Sequence, residues 1–228
     1  MQVYDVKLVF FDLDDSLINK DANSLWIKWR FRHEHWALVE ATQALASLYH
    51  AYKRGKVTHW RLSQYYRTRT RGMNLKEYDH MVQRFFKERG HLHMYPQAHS
   101  LLYAYQTRDV ERVMITGADE CVARVYAEAF GIEHVISNRL RVVADRIVGL
   151  EHPLCYGPGK VGLAEEFLSQ RGLTFDDTAF YTDSHADLPL LEKVRQPVVL
   201  NPNDFLRETA VERDWPILDW RLADNDGE

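Results

Sequence analysis

The hydrophobic positions of the chain change their spacing twice, and each change marks a different kind of structure. A short apolar run rich in Val and Phe, residues 6–11, predicts a strand buried on both faces of a parallel sheet. Between residues 20 and 94 apolar positions recur every three or four residues, which predicts helices and no strand. From Pro96 onward, short apolar runs alternate with helical patterns. The pattern therefore predicts an α/β fold that is interrupted after its first strand by a helical insertion.

Three helices are predicted within the insertion. Asn23 or Ser24 is expected to cap the first helix, since either side chain can accept a hydrogen bond from the backbone of the first turn. Asn74 is expected to begin the third helix, with Glu77 three residues later as its partner in a capping box. The predicted helices cover residues 23–55, 58–71 and 74–90.

After Pro96 the sequence predicts strands and helices in turn, as in a parallel sheet covered on both faces. The predicted strands cover residues 110–115, 135–137, 179–182, 198–200 and, at the sheet edge, 215–220, and residues 140–143 and 146–148 are predicted to pair as a β-hairpin. The predicted domains are a parallel-sheet core formed by residues 1–19 and 95–228, and a helical cap formed by residues 20–94.

Polar residues stand at the ends of three predicted strands. They are Asp12 and Asp14, Thr116 with Gly117 after it, and Asp183 and Asp187. Because parallel strands carry their chemistry at their carboxyl ends, these side chains are expected to lie close together. Lys160 opens a further helix after a Gly-Pro-Gly turn. An alternative is that the acids after the first strand only cap a helix that starts near Ser16.

Side by side, these groups suggest a site for phosphoryl transfer. Asp12 is a candidate nucleophile that would become an aspartyl-phosphate, and Asp14 could protonate the leaving oxygen and later deprotonate water. Asp12 and Asp183, together with a backbone carbonyl, offer the hard oxygen ligands that Mg²⁺ prefers. Lys160 can offset the charge of the phosphate, and the Thr116 hydroxyl can donate to a phosphate oxygen.

Four segments, in their order along the chain, resemble the four motifs of the haloacid dehalogenase superfamily. They are DLDDSL at 12–17, ITG at 115–117, GK at 159–160 and DSHAD at 183–187. The resemblance implies a Rossmann-like core with an inserted all-helical cap of the C1 type. The cap is similar to that of subfamily IB, the branch that contains phosphoserine phosphatases and bacterial histidinol-phosphate phosphatases. The resemblance also implies a phosphoric monoester hydrolase that uses Mg²⁺.

The resemblance also implies roles for individual residues. Asp12 would be the nucleophile and Asp14 the acid and base, while Thr116, Gly117 and Lys160 would bind the phosphate. The residues that it places at the metal site are Asp12, Asp14, Asp183 and Asp187, the last acting through water.

Two departures from the phosphoserine phosphatase pattern bear on the substrate. Ser184 and Ala186 stand where those enzymes usually have Gly and Asn, and the segment 201–220 extends past their usual end. L-histidinol phosphate is therefore the favoured substrate, with phosphoserine as the alternative. Asp21, nine residues after Asp12, is either a contact for a substrate ammonium group or a charge at a helix N-terminus.

Composition excludes several other classes. The chain has 228 residues, 46% of them hydrophobic, and a formal net charge of −4, so nothing in the overall balance demands nucleic acid or a membrane. Its two cysteines, Cys121 and Cys155, form neither a metal-binding spacing nor a disulfide framework. The longest apolar runs are too short to span a bilayer. We expect a soluble cytoplasmic protein whose partner is a small phosphomonoester, with homo-oligomerisation left open.

Two further patterns provide alternatives. Residues 53–89 carry eleven Lys and Arg against three acids, with aromatic residues interleaved, which could attract anionic phosphates or bind nucleic acid in a non-catalytic role. Residues 157–162 match the dinucleotide fingerprint GxGxxG but lack the preceding strand, so dinucleotide binding is not expected. Within enzymes, a phosphotransferase that uses the same aspartyl-phosphate is the main alternative.

Overall fold

The computed structural model describes residues 3–33, 46, 66, 70 and 72–222. Its strands are β1 (Leu8–Phe11), β2 (Glu111–Asp119), β3 (His134–Asn138), β4 (Leu140–Val143), β5 (Arg146–Leu150), β6 (Thr178–Thr182), β7 (Gln196–Leu200) and β8 (Ile217–Leu218). Six of them form one parallel sheet in the order β3-β2-β1-β6-β7-β8, and β4 and β5 form an antiparallel hairpin. The predicted α/β fold with a parallel sheet is confirmed.

The helices follow the predicted alternation. They are α1 (Ala22–His33), α2 (Leu75–Glu88), α3 (Pro96–Gln106), α4 (Glu120–Phe130), α5 (Pro158–Ser169), the short α6 (Leu188–Leu191) and α7 (Asp204–Glu212). Single 3₁₀ turns lie at Gly90–His93, Phe175–Asp177, His185–Asp187 and Trp220–Leu222. Within the part of the chain that the structure describes, no helix is both long and apolar enough to cross a membrane.

The central strand β1 is held by burial on both of its faces. Val9 and Phe11 pack into one hydrophobic cluster and Leu8 and Phe10 into another, and all four side chains are fully buried. Burying each of these side chains stabilises the fold by about 1.5–3 kcal/mol relative to leaving it exposed. The end of β1 is therefore a rigid position, and Asp12 follows it directly.

The predicted cap of α1 is wrong, and the predicted cap of α2 is the correct residue with a different contact. At α1 the capping side chain belongs to Asp21, whose Oδ1 accepts the Ser24 N–H at 2.5 Å, and not to Asn23 or Ser24. Asn74 does cap α2, but its side chain accepts the N–H of Lys76 at 2.9 Å instead of forming a box with Glu77. In each case the residue directly before the helix supplies an acceptor for an unpaired backbone N–H of the first turn.

Strand β2 extends further than predicted. It continues past Thr116 and Gly117 to Asp119, because Asp119 pairs with Asn138 of β3 across an irregularity in the register. The predicted helices over residues 34–71 lie largely outside the described residues. Of this range, the structure describes only Ala46, Tyr66 and Thr70.

The inserted segment contacts the core at several places, among them the β4–β5 hairpin, where the Leu75 N–H donates to the Asp145 carbonyl at 3.0 Å. Where the chain leaves and re-enters the core, Ile18 pairs with Met94, and the Asn19 N–H donates to the His93 carbonyl at 2.9 Å. Further along, α2 packs on α4, where the Tyr78 hydroxyl donates to Asp119 Oδ2 at 2.8 Å. The predicted division at residues 19 and 95 stays a prediction.

Candidate active site

The chain turns sharply after β1. Asp12 continues the sheet, since its N–H donates to the Tyr181 carbonyl at 2.9 Å. Residues 13–17 then form a single turn in which Asp14 (φ −66°, ψ 132°) and Asp15 (φ 51°, ψ 3°) are not helical. The alternative of a helix that starts near Ser16 is therefore wrong, and the turn leaves Asp12 and Asp14 at the carboxyl end of the central strand.

Lys160 bonds to two acids, one directly after β1 and one in the 3₁₀ turn after β6. Its Nζ donates to Asp12 Oδ1 at 2.8 Å and to Asp187 Oδ2 at 2.7 Å. The Thr182 hydroxyl donates to the same Asp187 oxygen at 2.8 Å. Lys160 is 3% exposed, Asp12 5% and Asp187 2%, so this cluster of opposite charges lies out of bulk water. Such burial strengthens each charge-assisted hydrogen bond.

A glycine brings Lys160 to this position. Helix α5 begins at Pro158, and a Cβ added to Gly159 would lie 2.0 Å from the Leu154 carbonyl oxygen. No side chain other than hydrogen fits there, so the start of α5 can pack against the preceding loop only with glycine. The match of residues 157–162 to the dinucleotide fingerprint thus has a packing explanation, at least at Gly159.

Asp14 contacts the inserted segment. Its Oδ1 accepts the N–H of Ala22, the first residue of α1, at 2.7 Å. Asp21, which precedes that residue, accepts the N–H of Ser24. The first turn of α1 therefore directs two backbone donors to the carboxylates of Asp14 and Asp21, and a helix N-terminus favours negative charge there.

Asp183 is held by the turn after β1. The Ser16 hydroxyl accepts the Asp183 N–H at 3.0 Å and donates to Asp183 Oδ1 at 3.3 Å. This pair of contacts joins the loop after β6 to the loop after β1. Asp12 and Asp183 are thus carried by neighbouring strands whose loops are bonded to each other.

The predicted phosphate-binding residues Thr116 and Gly117 lie on β2, next to β1. The Thr116 hydroxyl is buried and accepts the Ala118 N–H at 3.1 Å. The Gly117 carbonyl accepts a hydrogen bond from Asn138 Nδ2 at 2.7 Å. Asn138 Oδ1 in turn accepts the Cys155 N–H at 2.9 Å. The backbone at this strand end is therefore fixed from the side of β3 and of the loop before α5.

Burial and opposite charge act together on the nucleophile candidate. Burial raises the pKa of Asp12 to about 6, with Lys160 opposing the change and Asp187 adding to it. Burial alone would lower the pKa of Lys160, but the carboxylates of Asp12 and Asp187 outweigh it and raise that pKa. The ammonium group therefore stays charged, and Asp12 is mostly ionised at neutral pH.

Asp14 and Asp183 have no bonded cation among the contacts described above. Burial raises the pKa of Asp14 well above its usual value, and Asp21 and Asp12 add repulsion. Burial likewise raises the pKa of Asp183, with further repulsion from Asp12 and Asp15. Because burial and mutual repulsion disfavour the negative charge of these carboxylates, a cation bound beside Asp14 and Asp183 would be electrostatically favourable.

The donor chemistry fits Mg²⁺ on a partial set of protein ligands. Asp12 and Asp183 supply carboxylate oxygens from adjacent strands, and Mg²⁺ commonly binds one or two carboxylates and keeps several waters. Within residues 3–33 and 72–222, no three acidic, His or Cys side chains form a group that could hold a metal by themselves. Asp187 is bonded to Lys160 and Thr182, so its predicted role through water stays a prediction.

Several residues of the site were not predicted. Ser16 and Thr182 hold Asp183 and Asp187, and Asn201 contacts the turn after β1. Ser16 lies inside the first motif and Thr182 directly before the fourth, so their positions in the sequence were a signal. Asn201 and the turn after β1 lie far apart in the sequence, so no local sequence pattern could indicate that they are in contact.

A buried Asp-Lys-Asp cluster at the carboxyl edge of a parallel sheet, with a second acid two residues after the first, is an arrangement suited to phosphoryl transfer. The family model of haloacid dehalogenase-like hydrolases matches residues 9–192, and the chain belongs to that family.

Individual relatives agree with this assignment. A protein of Neisseria meningitidis serogroup C named histidinol-phosphatase is 28% identical over 94% of this chain and 99% of its own length. A solved structure of a protein with unknown function from Bordetella pertussis is 26% identical, with a TM-score of 0.84 over 93% of this chain and 97% of that chain.

A solved structure that represents a phospho-aspartyl intermediate analogue of phosphoserine phosphatase has the same fold. It is 17% identical, with a TM-score of 0.64 over 95% of this chain and 94% of that chain. The predicted family, the Rossmann-like fold and the class of phosphoric monoester hydrolase are confirmed.

Proposed function

We propose that the protein is a Mg²⁺-dependent phosphatase that hydrolyses a small amino-bearing phosphomonoester through an aspartyl-phosphate on Asp12. The observation that carries the proposal is the buried contact of Lys160 with both Asp12 and Asp187 beside Asp14. This arrangement keeps one carboxylate charged and aligned, and it places a second carboxyl two residues away for proton transfer.

In the first step Asp12 attacks phosphorus. Its Oδ1 accepts the hydrogen bond of Lys160, so we assign the attack to Oδ2. The new O–P bond forms as the ester P–O bond breaks, and the electron pair of that bond stays on the leaving oxygen. Asp14 gives its proton to this oxygen. The high pKa that burial gives Asp14 suits a carboxyl that must hold a proton near neutral pH.

In the second step water hydrolyses the aspartyl-phosphate. Asp14, now a carboxylate, takes a proton from the water as its oxygen attacks phosphorus. The bond from phosphorus to Asp12 breaks, and its electron pair returns to the carboxylate. Lys160 stabilises that charge again, so the same contact supports the start and the end of the cycle.

Asp12 and Asp183, with a backbone carbonyl, are the residues that would hold Mg²⁺. When bound, the ion offsets negative charge on the transferring phosphoryl group. Phosphomonoester hydrolysis is so slow in water that the site must supply more than about 20 kcal/mol of transition-state stabilisation. Lys160, the buried Thr116 hydroxyl and the backbone near Gly117 are the groups of the chain that contribute to it.

L-histidinol phosphate is the proposed substrate. The relative of nearly equal length is named histidinol-phosphatase. Asp15 and Asp21 lie on the same side of the site as Asp14, and each contributes repulsion to a neighbouring carboxyl. An ammonium group on the substrate would relieve this repulsion, which favours an amino-bearing ester over a sugar phosphate.

A panel of phosphomonoesters tests the proposal. Phosphate release would be measured from histidinol phosphate, phosphoserine, sugar phosphates and nucleotides, with Mg²⁺ and with EDTA, for the wild type and Asp12→Asn. We expect release that requires Mg²⁺, has its highest kcat/KM with histidinol phosphate and is lost in Asp12→Asn. A folded wild type that releases no phosphate from any ester would contradict the proposal, and transfer of phosphoryl to an added alcohol would indicate a phosphotransferase.

A further inference from the structure

Asn201 links the turn after β1 to the C-terminal part of the described chain. It follows β7 directly, is 3% exposed and has a left-handed backbone with φ 51°. Its Nδ2 donates to the carbonyl oxygens of Asp15 at 3.0 Å and Ser16 at 3.4 Å. Its Oδ1 accepts the Trp220 N–H at 2.7 Å. One buried amide therefore holds two distant segments together.

The turn that Asn201 contacts is conformationally costly. Asp15 has φ 51°, a region that residues other than glycine adopt at a cost on the order of 1 kcal/mol or more. Such a conformation persists where surrounding contacts fix it. The two donor contacts from Asn201 act on the carbonyls of Asp15 and of Ser16, and so they fix the backbone where the turn is strained.

The same turn orients Asp183. The Ser16 hydroxyl accepts the Asp183 N–H and donates to Asp183 Oδ1. Because this hydroxyl and the carbonyl held by Asn201 belong to one residue, a shift of the Ser16 backbone would move the contact to Asp183. The path from Asn201 to Asp183 thus has two steps, each a hydrogen bond between described residues.

The C-terminal segment, residues 217–222, provides the anchor for Asn201. The Asn201 N–H donates to the Leu218 carbonyl at 2.7 Å, and Arg221 Nη2 donates to the Pro202 carbonyl at 2.8 Å. These contacts, with the one from Trp220, hold residues 201 and 202 against the end of the sheet. The anchor is made largely of backbone groups, which move little once β7 and β8 are paired.

We propose that Asn201 is a positioning residue of the active site. It holds Ser16 so that the Ser16 hydroxyl orients Asp183, and the C-terminal segment keeps Asn201 in place. The inference rests on the proposed function in one respect, since it takes Asp183 as a residue that would hold Mg²⁺. Ser16 is one hydrogen bond behind Asp183, and the loss of such a partner typically changes metal affinity by about 10–100-fold, so Asn201, which acts through Ser16, should have an effect at the lower end of that range.

Two substitutions of Asn201 remove its donors in different ways. Asn201→Asp keeps the size, the acceptor for Trp220 and the tolerance of a left-handed backbone, but adds a charge. Asn201→Gly also tolerates φ 51° and adds no charge, but removes the whole side chain. An effect common to both variants therefore comes from the lost contacts with the turn.

Asn203→Ala is the matched control. Asn203 lies two residues later and caps α7 by accepting the Leu206 N–H at 2.9 Å. Its loss should lower the free energy of unfolding by about 1 kcal/mol. It is exposed and its capping contact lies within its own helix, so the control reports what a moderate loss of stability in this loop does by itself.

The readouts are Mg²⁺ binding by calorimetry without substrate and kcat with p-nitrophenyl phosphate. Both Asn201 variants should bind Mg²⁺ about 10-fold more weakly and lose about 10-fold in kcat. Asn203→Ala should match the wild type in both. Ser16→Ala should weaken Mg²⁺ binding as well, and adding Asn201→Gly to it should change little more, since both act through one path.

Wild-type Mg²⁺ affinity and kcat in the folded Asn201 variants would overturn the inference and leave Asn201 a structural residue. Should those variants not fold, wild-type Mg²⁺ affinity in Ser16→Ala would overturn it equally. Neither result would affect the proposed function, because the wild type would still release phosphate. A wild type that neither binds Mg²⁺ nor releases phosphate would instead overturn the proposed function, and this inference with it.

Discussion

The two sides of the site hold their carboxylates by different means. On the core side, Asp12 and Asp187 share the ammonium group of Lys160, and all three residues belong to strand ends or helices of the core. On the side of the inserted segment, Asp14 and Asp21 accept backbone N–H groups from the first turn of α1. A full positive charge holds one pair, while a helix N-terminus, equivalent to roughly half a charge, holds the other.

This difference separates two parts of the proposed reaction. Among the described residues, the side chain of the nucleophile is bonded by Lys160, which belongs to the core. The proposed acid and base depends on that segment, because the N–H that its carboxylate accepts belongs to Ala22. Changes on the core side should therefore affect all substrates equally, and changes on the other side should depend on the leaving group or on the substrate amine.

The largest effect is expected on the core side. Lys160→Met removes the only cation that the described contacts place on Asp12 and Asp187, and we expect kcat to fall about 10³-fold for every ester, as for loss of a charge-stabilising donor. Two buried carboxylates would also lose their partner, which should lower the free energy of unfolding by about 3–5 kcal/mol. Steady-state kinetics and urea unfolding measure the two effects.

Lys76→Met is the control for Lys160→Met, because Lys76 is exposed on α2. It should leave kcat unchanged and alter the free energy of unfolding by less than about 0.5 kcal/mol. Near-normal activity in folded Lys160→Met would show that the core pair is not needed for the reaction.

The second effect should depend on the leaving group. Asp14→Asn keeps an oxygen that can accept the Ala22 N–H but removes the acidic proton. We expect kcat to fall about 10²–10⁴-fold for an alkyl phosphate, whose leaving oxygen must be protonated. The loss in the burst of p-nitrophenol from p-nitrophenyl phosphate should be much smaller, since that leaving group departs as an anion. A loss in the p-nitrophenol burst as large as the loss in kcat for the alkyl phosphate would contradict the role of Asp14 as the acid.

The third effect should depend on the substrate amine. Asn is as good a helix cap as Asp, so Asp21→Asn should preserve the contact with Ser24 and the start of α1. We expect KM for histidinol phosphate to rise about 10-fold, equivalent to about 1.4 kcal/mol, with KM for p-nitrophenyl phosphate nearly unchanged. If both KM values change alike, Asp21 acts only as the cap of α1.

The smallest effect on activity is expected where the two sides are joined. Tyr78→Phe removes the hydroxyl that α2 donates to the buried Asp119 at the start of α4. The free energy of unfolding should fall by about 1–3 kcal/mol, while kcat should change by less than about threefold, because Asp119 also accepts two backbone N–H groups of α4. Tyr103→Phe is the control. It should change neither quantity, because Tyr103 is 67% exposed.

The sequence was most informative about the core side. The apolar run before Asp12 and the shorter runs before Asp183 predicted strands that the structure contains, and parallel strands end at one edge. Their acids could therefore be grouped without a structure. Lys160 was placed by its Gly-rich turn, and the packing of Gly159 on Leu154 explains why that turn is needed.

The other side could be predicted only in outline. The start of α1 was misplaced because Asn23 and Ser24 are as suitable for capping as Asp21, and only the path of the chain selects among them. The contacts of Asn201 with the turn after β1 join residues that are 186 and 185 positions apart, so no local pattern reports them. Tertiary contacts of this kind arise from the register of the sheet, which the hydrophobic pattern does not specify.

The most direct measurement is to trap the phosphorylated enzyme. The protein would be mixed with Mg²⁺ and substrate, quenched in acid within the first turnover, digested and analysed by mass spectrometry. We expect one added phosphoryl group, located on Asp12, that is lost at alkaline pH and is absent from Asp12→Asn. Phosphate release by the wild type without any phosphoryl group on Asp12, in a quench fast enough to capture the first turnover, would contradict it.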